Sequence, residues 1–261
     1  LWRILSMKSM KVTILQNDIY WSDISANTQH VDEIMDKADK ADLYVLPEMF
    51  STGFCTHPEG IADKNGSTLA WMRKKAAEKD AAIAGSIAVE EDGKFYNRFH
   101  FVYPDGKVVC YNKKHLFTYG GEDKRFIPGN ERVIAEYKGV RILLQICYDL
   151  RFPVFSRNRN DYDVAIYVAS WPTPRVEAWK ALLKARAIEN QCYVLAVNRV
   201  GSDPFCQYCG GSAVIDPYGK IVSACEDGKE CIAVADIDMK ELLAFREKFP
   251  VLEDADSFKL D

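Results

Sequence analysis

The spacing of apolar and polar residues along the first third of the chain predicts alternating strands and helices. Short apolar runs are typical of buried strands, and longer segments with apolar residues every three or four positions are typical of helices packed on a core. Ser67 stands at the start of one such segment as a candidate N-cap. The pattern predicts a strand, a helix, a strand, a helix and a strand at residues 11–16, 25–40, 43–46, 67–79 and 81–89.

The rest of the chain adds hairpins and further strands. The turn sequence Pro104-Asp105-Gly106 separates two strand-like runs and predicts an antiparallel hairpin. Lys138-Gly139 separates a second pair of runs, which ends at Cys147. The predicted strands are 97–103, 107–112, 132–137, 140–146, 164–170, 193–199, 212–216, 221–224 and 231–237, and the predicted helices are 153–158, 175–190 and a last one capped by Asp238.

The number of predicted strands decides the fold class. About a dozen strands with about five helices is more strand than one doubly wound sheet usually holds. We therefore predict an α/β (α+β) fold with two mixed sheets face to face and helices outside, a four-layer α-β-β-α sandwich. Residues 11–261 form a single domain in this interpretation. Residues 1–10 are interpreted as an amino-terminal extension, with Met7 or Met10 near the natural start, because they lack the long apolar region of a secretory signal.

Composition and charge narrow the function classes. The 261 residues are 48% hydrophobic and 28% charged, which is ordinary for a globular protein with a substantial core. A formal net charge of −4 without a long basic run predicts no nucleic-acid partner. No apolar stretch approaches the roughly twenty residues of a membrane helix, so no membrane partner is expected. The eight cysteines are expected to be mostly reduced, because a chain of this size needs no disulfides, and this predicts the cytoplasm.

Cys147 occupies an unusual place in the sequence. It ends an apolar strand-like run and is followed at once by Tyr148, Asp149 and a helix-like start. A thiol there lies near unpaired backbone N–H groups, where an anion is favoured. The alternative is a buried, inert cysteine of a core strand, and the local sequence by itself leaves the two interpretations about equal.

Two other predicted strands also end on chemically useful groups. Leu43–Leu46 leads to the carboxylate of Glu48, and 108–112 leads to the amine of Lys113. If these groups converge on Cys147, Glu48 is suited to take the thiol proton and return it to a departing nitrogen. Lys113, helped by the Tyr148 backbone N–H, would stabilise the negative charge on the attacked oxygen. The combination predicts amide hydrolysis through a thioester, without a metal or another cofactor.

These motifs resemble those of the nitrilase or carbon–nitrogen hydrolase superfamily, whose catalytic set is Glu, Lys and Cys. The resemblance rests on three segments that occur in the family's order: Leu46–Phe50, Asn112–Phe117 and Ile146–Pro153. It implies that Lys113 rather than Lys114 is the functional lysine and that Glu122 is the family's second, supporting glutamate. It also implies a homodimer packed through outer helices, those after Cys147 and at 175–190.

Within the superfamily, 48–54 and Ser170-Trp171-Pro172 are most similar to bacterial omega-amidases, which cleave the terminal amide of 2-oxoglutaramate and similar dicarboxylic monoamides such as succinamate. Such a substrate carries a carboxylate, which an arginine fork would bind. Arg175 is the first candidate and Arg125 the second. The aromatic residues expected to wall the pocket are Phe50, Phe117 and Trp171.

Several alternatives stay open on the sequence. The same superfamily also contains N-carbamoyl-amide and nitrile hydrolases. His115 could pair with Cys147 in a Cys-His dyad, although a packing role is favoured. Arg186 and Glu189 are expected to form a structural ion pair. The non-enzyme alternative is a redox or metal-binding module that uses the C-x-x-C pair Cys206 and Cys209, for which no further ligand motif is visible.

Overall fold

The computed structural model describes residues 9–259. The predicted extension at residues 1–10 therefore lies mostly outside the described part of the chain, but its last residue, Met10, begins the first strand and is buried. Residues 9–259 contain no helix with the length and apolarity needed to cross a bilayer.

The first sheet has six strands, which include the first and the last strand of the described chain. Its strands are β1 (Met10–Gln16), β2 (Leu43–Val45), β3 (Ala82–Glu91), β4 (Lys94–Val102), β5 (Val108–Asn112) and β14 (Cys231–Ile237). Their spatial order is β14-β1-β2-β3-β4-β5. The strands β1, β2 and β3 are parallel and the remaining pairs are antiparallel, so the sheet is mixed.

The second sheet also has six strands. They are β6 (Ile134–Tyr137), β7 (Val140–Ile146), β8 (Val164–Ala169), β9 (Tyr193–Asn198), β12 (Ala213–Ile215) and β13 (Ile221–Ala224), in the order β13-β12-β9-β8-β7-β6. Parallel pairing joins β7, β8 and β9 at its centre. A separate antiparallel hairpin consists of β10 (Val200–Ser202) and β11 (Gln207–Cys209).

Three apolar clusters show that the molecule has four layers. One cluster joins the inner faces of both sheets, with Val12 of β1 opposite the side chains of β7 and β8. The second packs the outer face of the second sheet on α4 (Val176–Glu189), and the third packs the outer face of the first sheet on α1 (Ile24–Lys37) and α2 (Ser67–Lys79). The remaining helices are α3 (Pro153–Ser156) and α5 (Met239–Lys248). The predicted α-β-β-α sandwich is confirmed.

The helix α2 begins differently from the prediction. Gly66 occupies the N-cap position in the left-handed region, and Ser67 is already helical without a capping side chain. The carboxylate of Asp63 accepts hydrogen bonds from the N–H groups of Ser67, Thr68 and Leu69 instead. A carboxylate near a helix amino terminus satisfies unpaired N–H groups and is favoured by the helix dipole, which is why it replaces the serine.

Candidate active site

The site lies where strands from both sheets end. Glu48 follows β2 and Lys113 follows β5 in the first sheet, whereas Cys147 follows β7 in the second. The Lys113 ammonium donates to Glu48 Oε1 at 2.9 Å, and both side chains are fully buried. Packing the two sheets face to face thus brings together the three side chains that the sequence placed at strand ends.

Glu122 shares the same ammonium. Lys113 Nζ lies 2.9 Å from Glu122 Oε2 and 3.2 Å from Oε1, and Glu122 is also buried. The backbone N–H of Phe117 donates to Glu122 Oε2 at 2.6 Å, which fixes the carboxylate within a tight turn. Glu122 therefore contacts the lysine directly.

Glu48 is held by the second sheet as well as by the first. The N–H of Ser170, directly after β8, donates to Glu48 Oε2 at 2.8 Å. Asn97 on β4 donates its side-chain amide to Glu48 Oε1 at 2.8 Å. Asn97 is not predictable from the sequence, because an asparagine inside a strand carries no signal until its neighbours in the folded sheet are known.

Cys147 is held in an uncommon backbone conformation. Its φ is +47°, in the left-handed region that a non-glycine residue seldom adopts, and a 3-10 helix from Cys147 to Arg151 starts there. Met49, directly after Glu48, also has a positive φ, of 46°. Such conformations cost free energy and persist where the surrounding structure imposes them, which is typical of functional turns.

Asp149 ties the cysteine turn to the lysine segment. Its buried carboxylate accepts from the N–H of Ile146 at 2.9 Å, on the cysteine side. On the lysine side it accepts from the Tyr111 hydroxyl at 2.8 Å and from the N–H of His115 at 3.0 Å. The carboxylate thus bridges the segments on either side of the site.

Burial and charge set the protonation of the site. Burial raises the pKa of the Cys147 thiol well above its ordinary value; Glu48 adds to this shift, whereas Lys113 opposes it. Burial would lower the pKa of Lys113, but Glu122 and Glu48 outweigh it and raise this pKa. Burial also raises the pKa of Glu122. The raised pKa favours the neutral thiol form of Cys147 at neutral pH, and burial is its largest cause.

Cys147 opens into a cavity of about 380 Å³. Glu48 and Ser170 line it together with Cys147, and several aromatic side chains form part of its wall. The other lining residues include Phe54, His57, Phe117, Tyr119, Tyr148, Arg151, Trp171, Arg175, Asp203, Phe205, Cys206 and Tyr208. This volume is at the lower end of the range for small-molecule sites.

The cavity contains most, but not all, of the predicted binding residues. Phe117, Tyr148, Trp171 and Arg175 line it. The Arg175 guanidinium lies 5.4 Å from the ring centroid of Phe117, and its carbonyl accepts from the Trp171 indole at 2.7 Å. These contacts hold Arg175 at the wall.

Two predicted wall or binding residues lie elsewhere. Phe50 is fully buried in the core beneath α1 and α2, because its strand-end turn directs it outward from the inter-sheet cavity. Arg125 is half-exposed and pairs with Glu59 at 3.3 Å, outside the cavity lining. The sequence analysis passed over Arg151, which does line the cavity and lies 4.9 Å from the Trp171 ring centroid.

His115 is placed less favourably than Glu48 to act on the Cys147 thiol. The ring of His115 stacks on Phe152 at 3.9 Å and contacts Asp149 at 2.8 Å, and it lines a separate, smaller cavity. This geometry favours packing over a Cys-His dyad. Arg186 and Glu189 form the expected ion pair at 2.8 Å.

The C-x-x-C pair is divided between the cavity and the small hairpin. Cys206 lines the cavity, and Cys209 ends β11. Across residues 9–259, no group of three or more His, Cys, Asp or Glu side chains is arranged to hold a metal ion. All eight cysteines, which lie in this part of the chain, are free thiols. A site of two sulfurs alone does not supply the four ligands of structural zinc.

The chain is similar in sequence to known carbon–nitrogen hydrolases. The carbon-nitrogen hydrolase family profile matches residues 11–247. The omega-amidase YafV of Escherichia coli strain K12 is 46% identical over 97% of this chain and 100% of its own length. The 2-oxoglutaramate amidase of Bacillus subtilis strain 168 is 38% identical over 94% of this chain and 98% of its own.

Solved structures show the same fold. The crystal structure of XC1258 from Xanthomonas campestris, described as a CN-hydrolase superfamily protein with an arsenic adduct in the active site, has a TM-score of 0.95 and 40% sequence identity. It covers 98% of this chain and is covered completely by it. Nit3 of Saccharomyces cerevisiae, described as a member of branch 10 of the nitrilase superfamily, has a TM-score of 0.84 at 26% identity, with 93% of this chain and 95% of Nit3 covered.

Proposed function

The chain belongs to the carbon-nitrogen hydrolase family, and on that premise we propose that it hydrolyses the terminal amide of a small dicarboxylic monoamide, such as 2-oxoglutaramate or succinamate, to the acid and ammonia. The observation that carries the proposal is a cavity lined by Cys147, Glu48 and Arg175, in which Glu48 is paired with the buried Lys113 ammonium.

In the proposed first half-reaction, Glu48 takes the proton of the Cys147 thiol while the sulfur attacks the amide carbon. Glu48 and the Cys147 thiol line the same cavity. The protonated Glu48 then gives this proton to the departing nitrogen, so ammonia leaves and a thioester forms. Because burial raises the pKa of the thiol, proton transfer to a fixed carboxylate is the route to a nucleophile at neutral pH.

Lys113 is proposed to stabilise the oxyanion. The ammonium has three N–H donors: Glu48 Oε1 and Glu122 Oε2 each accept one at 2.9 Å, and the third, which makes only the longer 3.2 Å contact to Glu122 Oε1, would turn to the substrate oxygen. Tyr148 N–H lies in the first turn of the 3-10 helix, where N–H groups lack an intrahelical acceptor. A unit charge about 4 Å from the oxyanion contributes roughly 4 kcal/mol at an effective dielectric constant of about 20.

In the second half-reaction, Glu48 takes a proton from water, which attacks the thioester carbonyl. The collapse of the second tetrahedral intermediate releases the carboxylic acid and returns the proton to the sulfur. Each half-reaction therefore uses the same carboxylate as base and then as acid, and the sum consumes one water per amide. Glu122 supports this cycle by holding the ammonium in place.

Arg175 is proposed to bind the carboxylate at the far end of the substrate. It is one of two arginines in the cavity wall, and its guanidinium is held against Phe117. Phe117 and Trp171 would contact the short carbon chain between the carboxylate and the amide. Guanidinium groups bind carboxylates through two parallel hydrogen bonds, which lysine cannot reproduce.

The test is ammonia release from 2-oxoglutaramate, succinamate and the neutral amide butyramide. Cys147→Ala is expected to abolish turnover; equal activity in the variant would remove Cys147 from the mechanism. Arg175→Gln is expected to lower kcat/KM for the carboxylated amides by 10-fold or more and to leave butyramide nearly unchanged. Arg125→Gln is the matched control, because this arginine lies outside the cavity. Release of carbon dioxide with ammonia, or turnover of a nitrile, would favour the other chemistries of the family.

A homodimer through the outer helices is also proposed. Val154 of α3 is 56% exposed and Ile188 of α4 is 53% exposed, so each helix presents a large apolar side chain. We expect the wild-type chain to have the mass of two copies by light scattering and Ile188→Asp to shift this mass toward that of one copy.

The proposed compartment is the cytoplasm, supported by eight free cysteines, one of which must stay a thiol.

A further inference from the structure

Asn97 contacts three members of the buried charge cluster at once. Its side-chain nitrogen donates to Glu48 Oε1 at 2.8 Å and to Glu122 Oε1 at 3.0 Å. Its backbone carbonyl accepts from the N–H of Lys113 at 2.9 Å. The residue is 1% exposed and lies on β4, beside the strand that leads to the lysine. One residue therefore connects both glutamates and the lysine.

The chemistry of the neighbours fixes the orientation of this amide. Ionised carboxylates only accept hydrogen bonds, so the NH₂ group must face them, and both of its hydrogens are used there. The amide oxygen of Asn97 is buried and has no hydrogen-bond partner among residues 9–259. An unpaired buried acceptor is unfavourable, so the arrangement serves the two carboxylates rather than the asparagine.

We propose that Asn97 is a positioning residue that holds Glu48 and Glu122 on the Lys113 ammonium and orients the Glu48 carboxylate to accept a proton from Cys147. The proposal rests on the function proposed above, because Glu48 is taken as the base. Two carboxylates around one ammonium carry an excess negative charge, which favours the uptake of a proton. Two neutral N–H donors stabilise the ionised forms without adding charge.

The principal variant is Asn97→Asp, which keeps the size of the side chain, removes both donors and adds a third carboxyl group. The cluster of three carboxyl groups then favours binding an additional proton, and a higher pH is needed to remove it. The acid limb of the pH profile of kcat/KM is expected to move upward by at least about one pH unit. Asn97→Ser stays neutral and retains at most one donor, so a smaller shift in the same direction is expected.

Asn112→Asp is the matched control. Asn112 lies on the neighbouring strand β5, opposite Arg98, and its amide oxygen accepts from Arg98 Nε at 2.7 Å. A carboxylate can keep this contact, so the pH profile of the control is expected to match the wild type. In the Asn97→Ser variant, kcat is also expected to fall by about 10-fold or more with little change in KM, because the residues that contact the substrate are unchanged.

A second readout needs no assumption about the substrate. The rate at which iodoacetamide alkylates Cys147 is measured against pH in the wild type and in each variant, with Cys147→Ala as the blank. An upward shift in both Asn97 variants supports the proposal. Profiles of folded Asn97→Asp or Asn97→Ser that superimpose on the wild type overturn it. If Asn97→Asp does not fold, Asn97→Ser decides. A wild type that alkylates normally but hydrolyses none of the amides refutes the proposed function instead.

Discussion

Replacing Lys113 with methionine is expected to affect catalysis and stability together. The ammonium lies within 2.9 Å of both Glu48 and Glu122, and all three side chains are buried. Methionine is similar in length but uncharged, so the variant leaves two carboxylates facing each other without a cation. Removing one partner from a buried ion pair typically costs about 3–5 kcal/mol of folding free energy.

The expected loss of catalysis follows because the variant lacks the positive charge that would stabilise the oxyanion. A loss of roughly 4 kcal/mol of transition-state stabilisation corresponds to a reduction of kcat by about a thousandfold. Proton uptake by the paired carboxylates would remove the base as well, so this figure is a lower limit for the expected loss.

Lys114→Met is the control for this experiment. Lys114 is adjacent in sequence, partly exposed, and lines a separate cavity. We expect it to change folding free energy by less than about 0.5 kcal/mol, as surface substitutions usually do. The assay combines steady-state ammonia release with urea unfolding. If Lys113→Met retained more than a tenth of wild-type kcat, or if Lys114→Met were the more damaging change, the assignment of the oxyanion partner would be wrong.

Three further predictions concern the surroundings of the thiol. Asp149→Asn is expected to lower kcat by 10-fold or more and to slow alkylation of Cys147, because a carboxamide cannot accept all the N–H and O–H donors at this site; unchanged rates would argue against a positioning role. Since the pKa of the buried thiol is raised, its stabilising effect is present below about pH 8.5 and declines at higher pH; the unfolding free energy of Cys147→Ala should therefore fall less steeply above pH 8.5 than that of the wild type, and parallel curves would contradict this. The double variant Cys206→Ser/Cys209→Ser is expected to keep amidase activity, and metal analysis of the wild type should give less than stoichiometric zinc; a stoichiometric ion lost in the variant would support the metal-binding alternative.

The local pattern of the sequence predicted most of the elements and the candidate reacting groups. Strand and helix periodicity is a property of neighbouring residues, so the positions of β7, β8 and α4 follow within one or two residues of the prediction. Likewise, Glu48, Lys113 and Cys147 each stand directly after, or close to, the end of a strand in the sequence. Strand ends are where open sheets collect ligands, so convergence was a conditional expectation from the local pattern, and the family resemblance supplied the catalytic set.

Only the tertiary structure decided which side chains support these groups and form the cavity. Ser170 donates to Glu48 across 122 positions of the chain, and Asn97 across 49, because the partners lie on different strands or different sheets. Sequence spacing contains no information about such contacts. The same limit explains why Phe50 and Arg125 were wrongly expected at the cavity and Arg151 was overlooked: the direction of a side chain after a strand ends depends on the turn that packing imposes. The sequence therefore identified the proposed reacting groups, whereas their burial and alignment depend on the packing of the two sheets.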